Sequence, residues 1–165
     1  PVLLARPGRA AARIDLAREL GLDVVDASTT ETARKELHAR GWTEGSAITF
    51  GCAGGDGAVG TGLASTAPRG QHVEVALAHA LVNVDLDGVV TRELTLRGSV
   101  SHTRSSWATV LGSLDTRSLS WHELGRIVTD VLPLARWRDA FGLALTRTRG
   151  KVLLAAWPEQ VEATT

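Results

Sequence analysis

The residues best placed to do chemistry in this 165-residue chain are glycines. Ala47-Ile-Thr-Phe-Gly-Cys52 is short, apolar and without a helical period. Residues 53–62 follow it with five glycines in ten positions. Glycines at the carboxyl end of a buried strand let backbone N–H groups come close to a ligand. In open α/β sheets ligands bind at that end of the strands. Gly55-Asp-Gly-Ala-Val-Gly60 also fits G-x-G-x-x-G, a spacing that seats a pyrophosphate on a helix N-terminus. The acid that should follow about 20 residues on is met only approximately by Glu74, inside a strand rather than at its end. Two readings stay open, a phosphate cradle and a flexible turn that matches by chance.

Other side chains give less. Histidines 38, 72, 79, 102 and 122 form no H-x-x-x-H or H-E-x-x-H spacing, and His102 reads as a surface loop residue. Cys52, flanked by Phe50 and Ile48, reads as a small buried hydrophobe rather than a nucleophile. No nucleophile-elbow motif accompanies any serine, so the sequence names no catalytic residue and no metal ligand. Glu74 lies between Val73 and Val75, and alternation places it on an exposed face.

The elements that would carry these residues alternate. Strands are expected at Val2–Ala5, Asp23–Asp26, 47–52, 72–77, 93–98 and 151–156. Helices are expected over 9–20, stopped by Gly21, and from a capping box at Ser28-Thr-Thr-Glu31 to about Arg40. Another runs from Ser105 or Ser106 to about Leu114. A further helix covers 134–146, with Pro133 in its first turn and Leu134, Trp137, Phe141 and Leu145 packed on the sheet. Residues 82–90 read as irregular or one turn, 121–128 as a short helix or turn, and 158–165 as a frayed tail. Short strands alternating with helices predict a mainly parallel, doubly wound sheet with helices on both faces. Lys+Arg and Asp+Glu both number 18, which argues against a nucleic-acid surface or an anionic membrane patch. No apolar run approaches the roughly 20 residues of a membrane span. One cysteine excludes an internal disulfide framework. The cytoplasm is the expected location.

The second half resembles a known family. Ala67-Pro-Arg-Gly-Gln-His-Val-Glu-Val-Ala-Leu77, then Val84-Asp-Leu with Arg92-Glu-Leu-Thr-Leu-Arg-Gly-Ser99, then Ile127–Ala135 with Ala140-Phe141 and Gly150–Leu154 stand in the order of the medium-chain dehydrogenase/reductase superfamily. Ala17-Arg-Glu-Leu-Gly21 and Val25-Asp26 resemble its earlier segment. The resemblance covers nearly the whole chain and leans toward the zinc-dependent alcohol and polyol dehydrogenases.

That resemblance implies a Rossmann-like cofactor domain over 1–157 that lacks the family's first strand, its phosphate loop and the GroES-like catalytic domain. It implies NADP or NAD as cofactor, with zinc only through that catalytic domain. In this fold an acid at the end of the strand that stands first here binds the ribose of NAD, and an arginine there takes the 2′-phosphate of NADP. Here Leu4-Ala5 is followed by Arg6-Pro-Gly-Arg9 with no acid. Arg6 and Arg9 are read either as that phosphate site or as two solvated arginines at a helix start. By resemblance Cys52, Ala53 and Gly54 line the adenosine pocket, and Ala76 and Leu77 border the nicotinamide. The implied partners are a dinucleotide, a small alcohol or ketone, and a second copy or another chain in an oligomer. The alternative is a non-catalytic relic or oligomerisation module of the same fold.

Overall fold

The computed structural model describes residues 1–6, 11–115 and 121–157. The expected Arg9 site and the expected tail 158–165 lie outside the described residues. Strands β1 (Val2–Ala5), β2 (Asp23–Asp26), β3 (Ser46–Gly51), β4 (Thr66–Glu74), β5 (Thr95–Gly98), β6 (Val128–Pro133) and β7 (Lys151–Ala155) alternate with helices. The helices are α1 (Ala11–Glu19), α2 (Thr30–Ala39), α3 (Asp56–Ala64), α4 (Leu86–Thr91), α5 (Arg104–Asp115), α6 (Trp121–Gly125) and α7 (Trp137–Leu145). β1 pairs with β2, β3-β4-β5 form a parallel sheet, and β6 pairs parallel with β7. Parallel pairing joined through helices is the expected class.

The chain divides into two compact units. Among the described residues, one holds 2–6 and 25–101, and the other holds 11–24, 102–115 and 121–157. In the first, Val59 and Leu63 of α3 pack with Leu94 against Val82, Val84 and Val89. Thr30 and Thr61 hydroxyls, 2.8 Å apart, join α2 to α3. β3 and β5 are the outer strands of the three-stranded sheet. Ile48 and Phe50 on β3 are 52% and 66% exposed, against the expectation that they bury Cys52. In the second unit, Gly21 takes φ +78° and ends α1, its N–H reaching Arg18 O. Arg126 donates to the Glu19 carbonyl (3.1 Å) and carboxylate (3.3 Å), tying the end of α6 to α1.

Several boundaries differ from expectation for local reasons. The glycine stretch is not a flexible turn throughout, because its second half is helix α3. β4 begins at Thr66 rather than at residue 72, and Ala67–Gly70 is a bulge inside it, with Arg69 at φ 60° and a register shift opposite Ser46–Ile48. Residues 82–90 hold most of α4, which runs on to Thr91 and is capped where Asp85 accepts Gly88 N. Residues 128–133 form a strand that the helical reading of this region passed over, and Pro133 closes that strand. Leu134–Arg136 is a separate 3₁₀ turn, and on α7 the buried residue is Ala140. Leu134, Trp137, Phe141 and Leu145 are exposed, with Trp137 and Phe141 edge-to-face at 6.1 Å. The periodicity was that of the outer face.

The capping box also shifts by one residue. Thr29 caps α2 by accepting Thr32 N, while Ser28 turns back to Asp26. The Ser28 hydroxyl (2.5 Å) and then its amide (2.7 Å) hold the Asp26 carboxyl below its usual range. A carboxylate held down in the native state adds stability above its unfolded value of about 4, and that stability is lost as pH falls through the folded value. Ser28→Ala is therefore expected to lower the melting temperature at pH 7, and the gap to the unmodified chain is expected to close on titration toward pH 2. A gap independent of pH would contradict this.

Candidate functional site

The carboxyl ends of β1, β3 and β4 meet around the glycine loop. Gly51, the last residue of β3, lies in register with Glu74. Its carbonyl accepts both Val75 N (2.9 Å) and Ala76 N (3.1 Å). That double bond ends the ladder and bends residues 75–77 over the end of β3. The strand therefore stops at Glu74, short of the expected Leu77. Gly54 takes φ +70°, and a Cβ there would stand 2.9 Å from Leu77 O. Only glycine allows the two loops to touch. Gly55, at φ +84°, accepts Ala58 N and Val59 N (both 3.1 Å) and opens α3. Arg6, just past β1, lays its guanidinium over the first turn of α3, where a Cβ on Gly57 would run into Nη2.

The structure thus brings Arg6, Cys52, Ala53, Gly54, Ala76 and Leu77 to one rim. Cys52, Ala53 and Leu77 are exposed, and Gly54 and Ala76 half-buried. Cys52 is not the expected core residue, because β3 has already ended at Gly51. The rim offers amide N–H groups at a helix N-terminus and one guanidinium, which together suit an anionic group. His102, as expected, is exposed, and packs edge-to-face on Trp107 at 5.1 Å.

Beneath the rim lie residues that the sequence did not single out. His72 is 0% exposed, and its ring packs on Gly62 of α3. Glu74, expected on an exposed face, is largely covered and places its carboxylate against Gly51 and His72. The available signal was His72-x-Glu74 with Thr49 and Thr66, polar residues in phase on strands that otherwise bury apolar side chains. Arg92 joins α3, β4 and α4 through the carbonyls of Leu63, Thr66 and Gly88. A cavity of about 650 Å³ lies at the amino ends of β3 and β4, lined by Trp42, Ser65 and Arg92 and away from the rim.

The zinc-binding dehydrogenase family profile matches residues 8–116, well over half of the chain. The chain belongs to the zinc-binding dehydrogenase family. D-arabitol-phosphate dehydrogenase of Enterococcus avium is 27% identical over 151 residues, covering 90% of this chain. An alcohol dehydrogenase of Thermus sp. ATN1 superposes with a TM-score of 0.81 at 23% identity over 94% of this chain. An E. coli CFT073 structure titled short chain alcohol dehydrogenase, complexed with NADH, superposes with a TM-score of 0.76 at 16% identity over 93% of this chain. This zinc-binding dehydrogenase chain spans 42% of the first relative's length and 44% of each of the two structures. The fold is Rossmann-like, as in the matching part of these alcohol dehydrogenases. Among its described residues no three His, Cys, Asp or Glu side chains gather as a metal centre would require.

Proposed function

We propose that this chain forms the dinucleotide-binding part of an NAD(P)-dependent alcohol or polyol dehydrogenase. The observation that carries the reading is the rim where Arg6 covers the first turn of α3 and Gly54 lets the loops after β3 and β4 touch. When bound, the nicotinamide supplies hydride exchange with a small alcohol or ketone. The chain's own residues hold and orient it. Cys52, Ala53 and Gly54 take the adenosine half, and Ala76 and Leu77 border the nicotinamide. Arg6, with Arg9 nine positions from the start, pairs with a 2′-phosphate, so NADP is preferred over NAD. No residue of this chain is assigned a catalytic step, and the chain alone is expected not to turn over. The reading places it in the cytoplasm and in an oligomer.

A second reading, a non-catalytic oligomerisation module, draws on the outer strand β5, exposed along its whole length. Thermal unfolding with millimolar NADPH or NADH separates the two. A ligand present at 100 times its Kd stabilises by about 2.7 kcal/mol when it binds only the folded state. NADPH is expected to raise the transition more than NADH. Arg6→Ala is expected to weaken NADPH about tenfold or more, as loss of a charge-assisted phosphate contact does, while leaving NADH nearly unchanged. A transition that neither cofactor moves would favour the second reading.

A further inference from the structure

Helix α3 carries glycine at three of its nine positions, Gly57, Gly60 and Gly62. Glycine inside a helix costs stability against alanine, because more backbone freedom is lost on folding. Each of the three therefore needs a reason, and the reasons differ. A Cβ at Gly62 would enter the His72 ring, whereas a Cβ at Gly60 would meet nothing within 4 Å. At Gly57 the three atoms nearest to a Cβ all belong to Arg6. Nη2 comes first, Cζ stands 3.5 Å away and Nη1 3.9 Å. The charged head of Arg6, rather than its stem, occupies the place of the missing side chain.

The backbone of Gly57 does not need glycine, since it lies within the helix and has no positive φ. The space beside it does. The Arg6 guanidinium has no hydrogen-bond or ion-pair partner among the described residues. Its donors form a planar fork that matches a phosphate, and here they stay free. What places the head is shape. Strand β1 ends at Ala5, and the bare first turn of α3 receives the side chain that follows.

With Arg6 as the phosphate contact of the proposed dinucleotide site, on which this step rests, we propose that Gly57 seats Arg6 for a 2′-phosphate and so sets the preference for NADP over NAD. Gly57 is a positioning residue and acts through Arg6. A methyl group at residue 57 pushes the guanidinium off the turn. That displacement is easy, because the far end of a long side chain moves freely. The fold is kept while the phosphate contact is lost. The glycine spacing at 55–60 then has separate causes. Gly55 serves its own backbone, at φ +84°, and Gly57 serves the arginine. Gly60 completes the pattern with no neighbour to account for it. On this account the spacing marks a seat for an arginine, not a cradle for a pyrophosphate.

Gly57→Ala and Gly60→Ala form a matched pair. Both replace a glycine of α3 by a better helix former, so neither is expected to lower the melting temperature. Calorimetric titration of each intact chain with NADPH and with NADH reads the preference. Gly57→Ala is expected to weaken NADPH about tenfold, as loss of a charge-assisted phosphate contact does, and to change NADH by less than about twofold. Gly60→Ala is expected to change neither. Arg6→Ala combined with Gly57→Ala is expected to bind NADPH as weakly as Arg6→Ala alone, since two changes that act through one contact do not add. A residue that merely shaped the helix would weaken both cofactors alike and add its loss to that of Arg6→Ala.

NADPH binding by Gly57→Ala equal to that of the unmodified chain would overturn the role of Gly57 and leave the dinucleotide site in place. Additive losses in the double variant would do the same. So would loss of the cooperative transition in Gly57→Ala, because an arginine free to swing away cannot unfold the helix. An unmodified chain that prefers NADH, or binds neither cofactor, would overturn the role of Arg6 first and that of Gly57 with it.

Discussion

Gly45→Ala is expected to destabilise the first unit by about 3 kcal/mol. Gly45 takes φ +91°, and its Cβ would stand 2.6 Å from Ser65 O and 3.0 Å from Ala67 N. Those are backbone atoms. Ser65 O is also fixed by accepting Ser46 N at 2.8 Å, so it cannot yield without breaking the entry to β3. The left-handed backbone alone costs a non-glycine residue about 1–2 kcal/mol. Overlap with fixed atoms adds about 1–3 kcal/mol. Gly41 supplies the control, with φ +85° but nothing within 4 Å of its Cβ. Gly41→Ala should show the backbone cost and little more. Urea unfolding of both variants gives the comparison, and equal losses would show that the contact with Ser65 O relaxes freely.

The second large effect is expected at Arg92. Its guanidinium donates to Leu63 O from two nitrogens (both 3.2 Å), to Thr66 O (3.1 Å) and to Gly88 O (3.2 Å). One side chain thus binds the end of α3, the start of β4 and the body of α4. A cation is also favoured at the negative end of a helix. Arg92→Met keeps the apolar stem and removes the donors. Hydrogen bonds from charged groups contribute about 1.5–3 kcal/mol each and do not add fully, so a loss of about 2–4 kcal/mol is expected. Arg92→Lys should recover only a fraction, because one ammonium cannot reproduce the planar fork across three carbonyls. Chemical unfolding checks both variants, and full recovery by lysine would show that charge rather than geometry matters there.

The class of fold was legible because it is written in alternation. Short β-branched runs separated by helical spacing are local signals, and the parallel pairs follow from them. The rim was legible for a related reason, since glycines after a buried strand mark the carboxyl end of a sheet. The use of each glycine was not. Gly57 makes room for Arg6, Gly62 for His72 and Gly51 for the Glu74 carboxylate, and each neighbour lies outside the element of the glycine that admits it. Sequence spacing shows that a residue lacks a side chain, but not which tertiary neighbour needs the space. The same limit applies to α7. Its apolar period at Trp137, Phe141 and Leu145 is real, but it marks an exposed face, and Ala140 is the residue that packs. Periodicity defines a stripe without saying what covers it. His72 and Glu74 escaped because alternation alone assigns a charged strand residue to solvent, whereas here the His72 ring lies 3.1 Å from the Glu74 carboxylate under α3.

The uncovered margin of β3 has a consequence of another kind. A strand at the end of a sheet keeps a row of free amides and carbonyls, and folded proteins guard such rows with lysine, proline or a covering loop. Ser46-Ala-Ile-Thr-Phe-Gly51 has no charge and no proline, and it turns Ile48 and Phe50 outward. Six uncharged residues rich in β-branched and aromatic side chains are the make-up of segments that stack on copies of themselves as cross-β fibrils. When the chain is handled by itself, its lifetime in solution is therefore expected to shorten as the protein is concentrated and β3 edges meet more often.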